Sequence, residues 1–141
     1  MRIYLDTNIL AFMLTDRLDD ISQDTMLQLN DYTNQLMASS VCVAELIHLC
    51  QIGKLSGGRR KGAPHPASIM AWLKAVGISM KSPDEKTLQV FSELILFDDH
   101  RDPNDRLIVA QAISDRVPLI SSDRKFERYR PYGLDFMINE R

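Results

Sequence analysis

Asp6, Glu45, Asp105 and Asp123 are the residues whose type and spacing point to chemistry. Asp6 ends the apolar run Arg2-Ile3-Tyr4-Leu5, and Asp123 follows Pro118-Leu119-Ile120-Ser121-Ser122, so each falls at the carboxyl end of an expected strand. Open parallel sheets bind their ligands at that end. Carboxylates gathered at one point repel each other and shift their pKa values upward, which makes a divalent cation the natural reason to gather them. The chemistry expected of such a site is metal-dependent phosphodiester hydrolysis.

Each acid also has an ordinary structural explanation. An aspartate after a strand closes a turn or caps the next helix, which covers Asp6 and Asp123. Glu45 is harder to dismiss, because it stands among Val41, Cys42, Val43, Ala44, Leu46, Ile47 and Leu49, and a buried charge needs a partner or a metal. Asp105 has the strongest structural alternative: an acid at the third position of a helix favours the macrodipole, with Asp102 as its cap. The case for function therefore rests on convergence at one end of the sheet.

The elements that would position these acids alternate between strand-like and helical runs, the pattern of α/β architecture. Strands are expected at Arg2 to Leu5, Leu36 to Ser39, Gly77 to Met80 and Leu119 to Ser121, with an edge strand at Leu134 to Ile138. A short helix from Ile9 to Leu14 would be capped by Asn8. A second would follow Ser22, with Thr25, Leu29, Tyr32 and Leu36 on one face. Val41 to Ile52 is apolar on nearly every side, which predicts a helix buried around most of its circumference. Gly53 to Pro66 reads as a loop, and helix returns at Ala67 to Leu73. Ser82-Pro83-Asp84-Glu85 carries a capping serine, a proline at the first helical position and a glutamate three after the cap, opening a helix with Leu88, Phe91, Leu94 and Ile95 on its apolar face. Asp102-Pro103-Asn104-Asp105 opens another, Asn104 to Ser114. The fold class is thus α/β, an open and mostly parallel sheet of four to five strands flanked by helices in a single domain, 1-141.

Composition sets bounds on this reading. A chain of 141 residues buries roughly two-thirds of its unfolded surface around one core. With 45% hydrophobic and 26% charged residues it is an ordinary globular sequence. A net charge of −2 gives no overall signal for nucleic-acid binding, so any such contact must be local or metal-mediated. Cys42 and Cys50 share one helical stretch and sit roughly 12 Å apart, too far for a disulfide; both are expected to be reduced. The amino-terminal stretch lacks a basic leader and the chain lacks a long apolar run, from which a cytoplasmic protein is expected. No glycine-rich phosphate loop, zinc spacing or cysteine nucleophile with a local base occurs.

Four segments together carry a family resemblance: Leu5-Asp6-Thr7-Asn8, Glu45-Leu-Ile-His-Leu49, His100-Arg-Asp-Pro-Asn-Asp-Arg-Leu-Ile-Val-Ala-Gln-Ala112 and Leu119-Ile-Ser-Ser-Asp-Arg-Lys-Phe126. In order and spacing the chain resembles the PIN-domain nucleases, and within them the VapC-type ribonuclease toxins of prokaryotic toxin–antitoxin pairs. The resemblance implies a Mg²⁺- or Mn²⁺-dependent RNA endonuclease whose acidic cluster maps to Asp6, Glu45, Asp105 and Asp123, with Asp6 central. Thr7, Asn8, Asp102 and Ser121 would support that cluster, Asp102 as a cap and Ser121 as a hydroxyl holding Asp123 or a water on the metal. It also implies an antitoxin partner and a homodimer. Asn104, where relatives often carry an aromatic, and the long Gly57 to Pro66 stretch are departures that bear on substrate preference.

Basic candidates for RNA contact are Arg59, Arg60 and Lys61 in the glycine-rich loop, and Arg106, Arg124 and Lys125 beside the acids, where they would serve alternatively as counter-ions. His100 lies near the site and reads as structural. The rival readings are a non-catalytic binding module on the same fold and a receiver-type phosphoacceptor; the second is disfavoured because Asp6 has no acidic neighbour.

Overall fold

A computed structural model describes residues 1–55 and 64–140. Five parallel strands form one sheet: β1 (Arg2–Leu5), β2 (Gln35–Ser39), β3 (Ser79–Lys81), β4 (Leu119–Ser121) and β5 (Phe136–Ile138), in the order β3-β2-β1-β4-β5. The consecutive residues Ile3, Tyr4 and Leu5 are all buried. Successive side chains of a strand point to opposite faces, so both faces of β1 are covered, the condition under which a parallel strand reads as a continuous apolar run. The sheet therefore lies between layers built from α1 (Thr7–Leu14), α2 (Gln23–Asn30), α3 (Ser40–Gln51), α4 (Ile69–Ala75), α5 (Glu85–Glu93) and α6 (Pro103–Asp115).

The strand order fixes the site. From β1 the chain steps outward through β2 to β3, then returns to place β4 on the other side of β1. The crevice between the carboxyl ends of β1 and β4 is the topological switch point, where open α/β sheets take their ligands. Asp6 immediately follows β1 and Asp123 lies two residues beyond β4.

Several local expectations change. Asp6, not Asn8, caps α1, accepting from the Thr7 N–H at 2.8 Å; the chain turns helical one residue after the strand, leaving Asn8 inside the first turn. The second helix stops at Asn30, because the Asp31 carboxylate accepts from both the N–H and the hydroxyl of Thr33 and closes a turn instead. Tyr32 is consequently 96% exposed and packs on no helical face, while Leu36 belongs to β2. Burial on α3 is confined to Cys42, Val43, Leu46 and Cys50, with Ala44 and His48 exposed. Cys42 and Cys50 are both buried, and no disulfide joins them. The 3-10 segment Arg124–Tyr132, capped by Asp123, buries Phe126 and Tyr129, a three-residue spacing that suits three residues per turn.

At α5 the cap is Asp84, not Ser82. Its carboxylate accepts from the Thr87 N–H at 3.0 Å, while the Thr87 hydroxyl accepts from the Asp84 N–H at 3.3 Å, a reciprocal box. The helix thus begins two residues later than Ser82-Pro83 suggests, which rotates its faces. Thr87 is buried, whereas Leu88 and Ile95 are 55% and 38% exposed. Asp84→Ala is therefore expected to cost about 1 kcal/mol and Ser82→Ala close to nothing, measured by urea denaturation; the opposite ranking would restore the serine cap.

Candidate active site

Asp6, Glu45, Asp105 and Asp123 line one cleft of about 210 Å³, together with Thr7, Asn8 and Leu49. They arrive from the end of β1, the middle of α3, the first turn of α6 and the turn after β4. Larger depressions elsewhere, such as one of about 610 Å³ lined by Lys86, Gln89 and Arg116, gather no carboxylates, so chemistry rather than volume singles out the acidic cleft.

Asp6 sits deepest, at 5% exposure. Its carboxylate accepts from the Ser121 hydroxyl at 2.6 Å and the Thr7 N–H at 2.8 Å, and more weakly from the Asn8 amide at 3.3 Å. The Cys42 thiol approaches it at 3.8 Å. Ser121 therefore does more than hold Asp123: it donates to Asp6 while its oxygen accepts from the Asp123 N–H at 3.0 Å and the Asn8 amide at 3.2 Å. One hydroxyl thereby ties the ends of β1 and β4 together. Asn8 adds a second tie, its side-chain oxygen accepting from the Ser122 N–H. Glu45 is half-buried at the rim rather than engulfed, and it accepts from the Thr7 hydroxyl at 2.6 Å. Residues 7 and 8 thus orient two of the four acids and the segment bearing a third.

Asp102 caps α6 by accepting from the Asn104 N–H at 2.9 Å, while Asp105 in the same first turn faces the cleft. The pair splits between cap and site as the sequence suggests. Asp102→Ser preserves a good cap and is expected to leave most activity, with Asp105→Asn losing it; a turnover assay returning the reverse would exchange the two roles.

Burial pushes the Asp6 carboxyl up to about 6, against the pull of its Ser121 and Thr7 hydrogen bonds and with further upward pressure from Glu45 and Asp123. Burial likewise lifts Asp105 to about 7, helped by the charges of Asp6, Asp102, Glu45 and Asp123. Desolvation is the largest single cause in both cases, and the mutual repulsion expected from the sequence adds to it. Among the described residues no lysine or arginine is paired with any of the four acids. This all-oxygen donor set, costly to ionise and lacking a protein counter-charge, fits a hard divalent cation such as Mg²⁺ or Mn²⁺.

The basic candidates fare differently. Arg106 turns away from the acids: its guanidinium donates to the Leu94 carbonyl at 2.8 Å and lies 5.0 Å over the Phe91 ring, fastening α6 to α5. Arg124 is paired with Glu140, and the Lys125 ammonium donates to the Asp99 carbonyl at 3.2 Å. None of the three is a counter-ion of the cluster. Arg59, Arg60 and Lys61 lie outside the described residues.

His100, read from the sequence as near the site and structural, lies beside two of the acids. It is 4% exposed, its Nδ1 lies 2.6 Å from the Tyr129 hydroxyl, and its Nε2 faces Asp105 and Asp123 at 3.6 and 4.0 Å. Burial holds its pKa below the usual histidine value despite the nearby carboxylates. The available signal was its place just ahead of the Asp102-Pro103 cap, which aims that stretch at the helix start.

A profile of the PIN domain family matches residues 3–131. No curated protein matches the chain. Among solved structures it is similar to VapBC2 from Rickettsia felis bound to a DNA fragment from its promoter, at 20% identity and a TM-score of 0.67, covering 99% of this chain and 100% of that one. It is also similar to DNA-bound VapBC from Salmonella typhimurium, at 20% identity, a TM-score of 0.65 and 98% coverage of both chains, and to VapBC-1 from nontypeable Haemophilus influenzae, at 19% identity, a TM-score of 0.63 and 98% coverage of both.

Proposed function

The chain belongs to the PIN domain family, and from that premise we propose that it is a metal-dependent RNA endonuclease acting as the toxin of a toxin–antitoxin pair. The observation that carries the proposal is the convergence of Asp6, Glu45, Asp105 and Asp123 on one cleft without a cationic partner among the described residues. These four acids would hold Mg²⁺ or Mn²⁺. A cation held there would supply Lewis acidity, making a water nucleophilic at neutral pH and offsetting the charge that develops on the phosphoryl oxygens. In the hydrolysis proposed, the water oxygen would bond to phosphorus as the P–O bond to one ribose oxygen breaks, and a proton lost by the water would be balanced by one taken up at the leaving oxygen, giving two RNA ends.

The chain's own residues set the geometry for that step. Ser121 and the Thr7 N–H aim the Asp6 carboxylate, and the Thr7 hydroxyl fixes Glu45. Donors already locked by packing hold a site in its productive arrangement before substrate arrives. The test is cleavage of a defined RNA with Mg²⁺, with Mn²⁺ and with EDTA. Cleavage unaffected by the chelator would remove the metal-nuclease reading.

Similarity in fold to the VapBC proteins along the full chain supports the toxin role. An uncontrolled ribonuclease in the cytoplasm damages its host, so a protein inhibitor belongs to the same proposal, as does the homodimer of the family. An acidic cleft suits an arginine from that partner, which is planar, permanently charged and able to pair with carboxylates in bidentate fashion. No helix among the described residues is long and apolar enough to cross a membrane. Expression is expected to arrest growth, a small neighbouring protein to relieve it, and relief to weaken as Mg²⁺ rises. Normal growth with soluble protein accumulating would leave a nuclease without a toxin role.

A further inference from the structure

We propose that His100 Nε2 is a nitrogen ligand of the cation in the acidic cleft, acting with Asp105 and Asp123, and that it tilts the site toward Mn²⁺ over Mg²⁺. This rests on the metal-nuclease reading and sharpens it. The ligand atoms of His100, Asp105 and Asp123 lie within 4.8 Å of one another. The histidine nitrogen is 3.6 Å from one carboxylate and 4.0 Å from the other, inside the span of about 3 to 4.2 Å that separates two ligands about 2.1 Å from a shared ion.

The second argument is hydrogen bonding. His100 Nε2 is buried and has no hydrogen-bond partner among the described residues, and both carboxylate distances exceed a hydrogen bond. If that nitrogen carries the proton, a buried donor goes unused, at a cost of about 1–3 kcal/mol. If it carries the lone pair, it faces the carboxylate oxygens of Asp105 and Asp123 acceptor against acceptor. A cation resolves the second arrangement and satisfies all three groups together.

Tyr129 completes the geometry. A metal-bound histidine usually donates its other ring N–H to an oxygen, which fixes the tautomer and the ring plane. The Tyr129 hydroxyl oxygen stands 2.6 Å from Nδ1, and the imidazole is wedged against Phe126 and Tyr129 with ring centres 5.3 and 5.4 Å away. The ring is thereby held with Nε2 toward the acids. Mg²⁺ prefers an all-oxygen octahedron and parts with its waters reluctantly, whereas Mn²⁺, although the weakest nitrogen binder of the first-row series, gives up a water for an imidazole more readily than Mg²⁺ does, so a fixed buried nitrogen favours Mn²⁺ over Mg²⁺.

The experiment is spin-echo envelope modulation of Mn²⁺ bound to the full-length protein, paired with competition between Mn²⁺ and Mg²⁺ by titration. Wild type is expected to show ¹⁴N coupling, His100→Gln to lose it, and the Mn²⁺ preference to shrink about tenfold in that variant. His48→Gln, on the exposed side of α3, is expected to leave the coupling intact. Stoichiometric Mn²⁺ binding by wild type without ¹⁴N coupling would overturn the proposal and leave the carboxylate metal site standing. Failure to bind Mn²⁺ at all would take down that reading and this one together. The wild-type spectrum decides the matter even if His100→Gln does not fold.

Discussion

Asp6→Asn is expected to lower RNA cleavage by about 10²–10³-fold while the chain stays folded, because the several kcal/mol that a metal contributes to the transition state depend on a charge at this position. The buried carboxylate is the point where the Thr7 N–H, the Ser121 hydroxyl and the Asn8 amide converge. An asparagine oxygen keeps the first of these. Its NH₂, however, replaces the oxygen that accepts from the Ser121 hydroxyl and, more weakly, from the Asn8 amide, so those two hydrogen bonds are lost at a cost of about 1 kcal/mol each. That small loss separates the catalytic effect from unfolding. Circular dichroism with single-turnover cleavage and Mn²⁺ titration checks it: a folded Asp6→Asn protein cutting at the wild-type rate would remove Asp6 from the site.

The parts of this site that were legible in the sequence are those set by local pattern. Apolar runs ending in an acid place Asp6 and Asp123 at strand ends, and Asp102-Pro103-Asn104-Asp105 places an acid in a first helical turn. The convergence of those ends depends on strand order, which periodicity does not encode; it was inferred from the binding end of open parallel sheets, and the four-segment family resemblance agreed with it. Contacts between residues 38 and 115 positions apart, Thr7 with Glu45 and Ser121 with Asp6, were beyond local reasoning about geometry even where the residues were named.

Other features failed for identifiable reasons. Arg106 stands next to an acid in sequence, but neighbouring residues on a helix point in different directions, and its guanidinium meets Phe91 and Leu94. His100 read as structural because its place just ahead of the Asp102-Pro103 cap brings it near the site without fixing which way its second nitrogen faces. Its orientation is set by Phe126 and Tyr129, more than 25 residues away and on a 3-10 segment. Serine before proline suggested a cap at Ser82, yet the aspartate two residues on had a threonine in place to close the box.

The metal-free protein should lose stability as pH rises from about 4 to about 8, and a divalent cation should restore it. Asp6 and Asp105 titrate at about 6 and about 7 in the folded chain, both above the usual carboxylate value of 3.8. A folded pKa above the unfolded one means that the native state holds the extra protons, so stability falls as pH climbs through that window. At about 1.4 kcal/mol per pKa unit the loss is on the order of 5 kcal/mol for the pair, or roughly 10–20 °C in Tm. His100 runs the other way: its depressed pKa removes stability as pH falls below its unfolded value, so the carboxylate contribution is best read as a difference between proteins. Asp105→Asn removes a charge that must otherwise be desolvated beside Asp6, Asp102, Glu45 and Asp123. It is accordingly expected to be more stable than wild type at pH 8 in EDTA, by more than the fraction of a kcal/mol that a first-turn acid contributes through the macrodipole, and equal to it near pH 4. Saturating Mn²⁺ should reverse the order, since a cation at a hundred times its Kd adds about 2.7 kcal/mol to the protein that binds it and little to the variant. Calorimetric scans of both proteins at pH 4 and 8, with EDTA and with Mn²⁺, provide the measurement. Parallel curves in EDTA would mean that Asp105 is solvated well enough to ionise at its ordinary pKa, and that the cleft carries no stored charge for a metal to relieve.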